Sequence, residues 1–153
     1  MRQLFLTLIL AIFILSPLAY AEVGGNGSAV EGLASSMNFS HRISKRTANF
    51  TVHEMKISGT TFREYEGADG KVFAASGEGL SRPDMNVVLG TYFSEYKAAV
   101  DGVLKNRRTR NRRNANLKTA NLNIKFNGHH PNFKWSVFAP SLAPSKISEG
   151  DLQ

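Results

Sequence analysis

A single stripe of helical period, set between segments of strand period, constrains this chain more than any other feature. Met85, Val88, Leu89, Tyr92, Phe93, Tyr96, Ala99, Val100, Val103 and Leu104 follow the i, i+3, i+4, i+7 rhythm of one buried face. One helix with one apolar stripe cannot close a core on itself and needs a sheet to cover. Ser81-Arg82-Pro83-Asp84 reads as its start: a hydroxyl cap, a proline in the first turn and a carboxylate at the positive end of the dipole. Gly90 costs about 1 kcal/mol against alanine within a helix, which suggests a close approach to the sheet. Lys105 and Arg107 fall at the negative end of the dipole, where cations are favourable.

The segments on either side supply the sheet. Residues 51–57 read as a strand, with Val52 out of phase with Met55 and Ile57. Ser58-Gly59 is a turn signal, residues 60–66 carry Phe62 and Tyr65, and Ala68-Asp69-Gly70 marks a second turn. Residues 71–76 resume as a short apolar strand, which Gly77-Glu78-Gly79 is expected to break. After the helix, Ala120, Leu122, Ile124 and Phe126 share one face, and Phe133, Trp135 and Val137 share another, joined through Asn127–Asn132. Pro140 and Pro144 suit an extended tail packed down on the fold. The expectation is an α+β domain: a three-strand meander, one main helix, then a two-strand hairpin, with the helix on a face of a small antiparallel sheet. Residues 39–49 are polar and basic without a period, and a short helix over 29–37 is weakly patterned. The domain is therefore expected over 51–153, behind a flexible segment at 22–50.

The N-terminus carries an address. Arg2 precedes a run of about a dozen apolar residues, and Ala19-Tyr20-Ala21 has the small-x-small form that a signal peptidase cuts after. The run is shorter than the roughly 20 residues of a membrane span. Cleavage after Ala21 leaves 132 residues starting at Glu22, enough for one core. The lone Arg2 argues against a twin-arginine route. With no cysteine, the chain has no disulfide, thiol nucleophile, thiolate ligand or cysteine-linked lipid. No later apolar run reaches membrane length. The expected location is the periplasm or the exterior.

Charge is concentrated. Without Arg2, 18 Lys and Arg face 12 acids. Lys105, Arg107, Arg108, Arg110, Arg112 and Arg113 account for the whole surplus. This segment, within a polar loop at 105–118, is the candidate polyanion-binding site, suited to anionic lipid or acidic polysaccharide. Its bland reading is a solvated loop, the commoner fate of charge runs. Nucleic acid is disfavoured by export and by the lack of aromatics between Tyr96 and Phe126.

Several phrases together resemble a known family. They are Thr51-Val52-His53-Glu54, the run from Gly59 through Thr60-Thr61-Phe62-Arg63-Glu64 to Tyr65, Gly70-Lys71-Val72-Phe73-Ala74, Pro83-Asp84, Leu89-Gly90-Thr91-Tyr92-Phe93, and Pro140 with Pro144. In this order, behind a signal peptide, they are similar to a family of small exported bacterial proteins, domain of unknown function 2844. The resemblance implies a bacterial exported protein and supplies no catalytic residue. The family pattern has a tryptophan soon after the Val-Phe pair, where this chain has Ala75-Ser76, and the basic run lies at a variable connection.

Other chemistry is sparse. His129-His130 sits in a loop, with His41 and His53 far off in sequence, and no zinc motif appears. Glu54, Glu64 and Glu66 lie on strand segments with matching parity, so Glu64 and Glu66 share a face and Glu54 is placed across from them, a pattern open to general acid-base hydrolysis. Arg63, Lys56 and Lys71 are competing ion-pair partners. Ser35, Ser36 and Ser76 lie in no nucleophile motif. The sequons at Asn26, Asn38 and Asn49 are expected to be unmodified in a bacterium. The leading expectation is a non-enzymatic envelope module without cofactor, metal or catalytic residue. Its partner would be an envelope protein or a cell-wall component. The alternatives are a polyanion binder through 105–113 and a small envelope hydrolase using Glu54, Glu64 or Glu66. For the hydrolase, one of these acids must have a strongly raised pKa in a concave site.

Overall fold

The computed structural model describes residues 22–27, 40–80, 82–105 and 115–152. The expected signal, the possible helix over 29–37, the cap at Ser81 and every cation of the basic run beyond Lys105 lie outside the described residues. The strands are β1 Ser40–Arg46, β2 Phe50–Ile57, β3 Thr60–Gly67, β4 Val72–Gly79, β5 Ala115–Lys118, β6 Asn123–His129 and β7 Asn132–Phe138. They form one antiparallel sheet in the order β1-β2-β3-β4-β7-β6-β5. The fold is α+β, as the patterning indicates, with seven strands among the described residues where five were legible.

Local chemistry explains the turns. Ser58 and Gly59 both hold positive φ, 47° and 77°, the backbone of a two-residue hairpin whose twist matches its strands. Asp69 Oδ1 accepts from the Lys71 amide at 3.1 Å in the next turn. The helix is α1 Met85–Leu89, a 3-10 turn Gly90–Tyr92, then α2 Phe93–Lys105. Its cap is Asp84, which accepts from the Asn86 amide at 2.9 Å. Gly90, at φ 46°, breaks the expected single helix. A Cβ there would strike the Glu22 carboxylate, so the close approach is to the N-terminal segment and not to the sheet.

One sheet face lies under the helix. Ala75, Val137, Ile124, Phe126 and Trp135 pack there with Met85, Leu89 and Val23, joined by the half-buried Tyr92, Phe93 and Tyr96. The stripe thins toward its end, where Val103 is 48% exposed. Glu95 fastens α2 to the start of β6, accepting from the backbone and side-chain amides of Asn121 at 3.0 and 2.9 Å. The other face lies under the C-terminal tail. Phe50, Val52, Tyr65, Phe73, Ala74 and Phe138 form its core, with Leu142, Ala143, Ile147 and Leu152 packed on them.

Three expectations change. Gly77, Glu78 and Gly79 continue β4 instead of breaking it. A Cβ on Gly77 would strike the Trp135 indole, so the glycine lets the ring lie across β4. The sheet begins before residue 51: Ser40–Arg46 pairs with β2, and Val23 is 1% exposed in the core. Finally, residues 115–118, read as loop, form an edge strand on β6.

Candidate functional site

The sheet register sorts the polar residues by face. Across β2 and β3, Glu54 stands opposite Arg63, while His53 stands opposite Glu64 and Thr51 opposite Glu66. Glu54 is therefore on the tail face, and Glu64 and Glu66 are on the helix face. The three acids expected to share a face are divided.

On the tail face the apolar tail covers only part of the sheet. Beyond it, one polar row crosses all seven strands: Arg42, Glu54, Arg63, Ser76, Ser136, Lys125 and Asn116. A second row beside it runs through Lys56, Thr61, Glu78, Lys134 and Asn127. Neither row has an apolar member. Their central members, Glu54, Arg63, Ser76, Ser136, Lys125, Glu78, Lys134 and Asn127, line an open basin of about 600 Å³.

A ladder of ion pairs fixes this floor. Glu54 Oε1 accepts from Arg42 Nη2 at 2.7 Å and Nε at 2.9 Å, and its Oε2 accepts from Arg63 Nε at 3.0 Å. Arg63 Nη2 reaches Glu78 Oε1 at 3.4 Å, and Lys134 Nζ lies 3.6 Å from Glu78 Oε2. Lys125 pairs with Glu149 of the tail at 2.8 Å. The Glu54 side chain is 5% exposed. The Arg42 guanidinium first, then Arg63, hold its carboxyl below the usual range against the cost of burial.

On the helix face, His41, His53 and Glu66 form a chain across β1, β2 and β3. His41 Nε2 lies 3.1 Å from His53 Nδ1, and His53 Nε2 lies 2.7 Å from Glu66 Oε2. His53 thus bridges the two, one ring nitrogen facing the His41 ring and the other the Glu66 carboxylate. Glu64 shares this face, between His53 and Ala75. Its Oε2 is buried with no hydrogen-bond partner. Burial first, and the Glu66 charge second, push the Glu64 carboxyl up to about 8, so it is neutral at pH 7.

Sequence reasoning found Glu54, Glu64 and Glu66 but gave them one site, and it missed the His41–His53 contact. Lys105 ends α2, and the remaining candidates Arg107, Arg108, Arg110, Arg112 and Arg113 lie outside the described residues. His129 and His130 are exposed at the β6–β7 turn, where the His129 ring Nδ1 donates to the His130 carbonyl at 2.8 Å. Among the described residues no cluster of three His, Asp or Glu is arranged to hold a metal ion, and no helix is long and apolar enough to cross a membrane.

No curated protein and no solved structure matches the chain. Residues 19–152 match the family described as "Protein of unknown function (DUF2844)". That span takes in both faces of the sheet, the helix and the tail, and the chain belongs to this family.

Proposed function

We propose that the protein is exported to the bacterial cell envelope and acts there as a non-enzymatic binding module whose contact surface is the uncovered polar half of the tail face. One observation carries this reading. The helix covers one face and the tail covers the apolar part of the other, while two adjacent polar rows stay open above a fixed floor. A sheet face held rigid by ion pairs needs little ordering on contact, which favours recognition. Export rests on the signal-like N-terminus.

Two measurements test this reading. Mass spectrometry of the protein recovered from its native cell should give a chain starting at Glu22 in the periplasm or medium; an uncut cytoplasmic chain contradicts it. Retention on isolated envelope material should fall when Lys125 and Lys134 are both changed to Glu, and unchanged retention removes the tail face as the contact surface. In the polyanion alternative, the same retention depends instead on the six cations at 105–113 and disappears when those are neutralised.

One observation favours a hydrolase as the second reading. A neutral carboxyl, Glu64, lies two residues along the strand from Glu66, and pairs of acids with separated pKa values divide proton donor from base. Glu54 takes no part, being on the opposite face. Turnover of a cell-wall or ester substrate that is lost in Glu64→Gln would establish this reading.

A further inference from the structure

The basin floor presents donors and conceals acceptors. Both its acids are already engaged: Glu54 accepts three N–H groups from Arg42 and Arg63, and Glu78 lies between Arg63 and Lys134. The cations are not used up in the same way. Lys134 is 70% exposed. Lys45 also lines the basin, its ammonium 5.7 Å from the centre of the Phe50 ring. Lys45, Arg63, Lys125 and Lys134 line the space with Glu54 and Glu78, and Glu149 of the tail pairs with Lys125, which leaves a net positive charge, with the hydroxyls of Ser76 and Ser136 and the Asn127 amide between them.

A ligand resting here meets N–H and O–H groups and an excess of positive charge. It must therefore bring acceptor oxygens with negative charge. It must also be hydrated, because Trp135, the aromatic among the lining residues, is buried at 5% exposed and does not stand out as the kind of anchor that gives protein interfaces their binding energy. Val52 is buried, and Leu152 stands only half-buried among the lining residues. The two rows run across the strands, spaced about 4.8 Å per strand, so charge recurs along a line and not at one point.

We infer that the basin binds an acidic polysaccharide, a chain of hydroxyl-rich units carrying carboxylate or phosphate groups, laid across the strands over Lys45, Arg63, Lys125 and Lys134. This rests on the reading of the tail face as the contact surface. It places polyanion recognition on the sheet, away from the basic segment at 105–113.

The test uses the full mature chain and isothermal calorimetry at low and high salt. Its probes are polygalacturonate, a poly(glycerol phosphate), polyglutamate and neutral dextran. Polygalacturonate or poly(glycerol phosphate) should bind in a salt-sensitive way, and the two arms report which anionic group is preferred. Binding should weaken at least tenfold in Lys45→Gln/Lys134→Gln and stay within twofold when the cations at 105–113 are changed to Gln. Both lysine changes are at exposed side chains, and circular dichroism confirms that the fold persists. Equal binding of polyglutamate, or loss only in the 105–113 variant, overturns the inference. A photocrosslinker at Asn127 in native envelope separates the two levels. Capture of a protein or a neutral glycan refutes the acidic polysaccharide but keeps the contact surface, whereas no binding and no capture refute both.

Discussion

Glu54 and Glu64 stand on neighbouring strands of one hairpin and meet opposite fates. Glu54 points to the tail face, receives three N–H donors and is ionised. Glu64 points to the helix face, has an orphaned buried oxygen and is held neutral. Composition does not separate them; the side of the sheet does. The tail face has a fixed, charged and open surface, suited to holding a ligand. The helix face is the covered side, where burial holds Glu64 in its uncharged form and the 20% exposed Glu66 pairs with His53.

The largest expected effect tests the covered face. An acid whose folded pKa is raised stabilises fully below its unfolded value and loses that contribution as pH rises through its folded value. For Glu64 the window runs from 4.5 to about 8. Within it, wild-type stability should fall by roughly 1.4 kcal/mol per pH unit from this group. Urea unfolding of Glu64→Gln should show a flatter profile across that window and higher stability at pH 8. Parallel profiles for the two proteins would mean that Glu64 is ionised like any surface acid.

Removing Glu54 probes the open face. Glu54→Ala should cost about 2–3 kcal/mol, below the roughly 3–5 kcal/mol for breaking a fully buried ion pair because both arginines keep access to water. The loss should be reduced in 1 M salt, which screens the remaining charges. A cost under about 0.5 kcal/mol would show that the ladder does not hold the floor. His53→Gln should cost about 1–2 kcal/mol, the penalty for disturbing a buried polar chain, with faster hydrogen exchange at the amides of β1. Arg42→Gln should be mildest, about 0.5–1 kcal/mol, since its side chain is 67% exposed.

The same hairpin shows how far the sequence can be read. The helix stripe, the strands with one apolar face and the Pro-marked tail were legible because burial imposes a period. Val52, out of phase with Met55 in the pattern, is out of phase in the structure too: it faces the tail core while Met55 faces the helix side. β1 was illegible because edge position leaves most of its residues exposed, so no period is imposed. β5 is only four residues long. The division of the acids was legible in principle. In a two-residue hairpin such as Ser58-Gly59, partners across the strands have numbers of opposite parity, so Glu54 and Glu64 cannot share a face. The His41–His53 contact left no such trace, because it depends on pairing between β1 and β2.

The most direct test of a covered face and a binding face on one sheet is backbone amide chemical-shift mapping with polygalacturonate. Perturbations should cluster at Ser76, Asn127, Lys134 and Ser136 and spare His53, Glu64 and Glu66. A cluster at the latter three, or one confined to residues 105–118, would contradict the account.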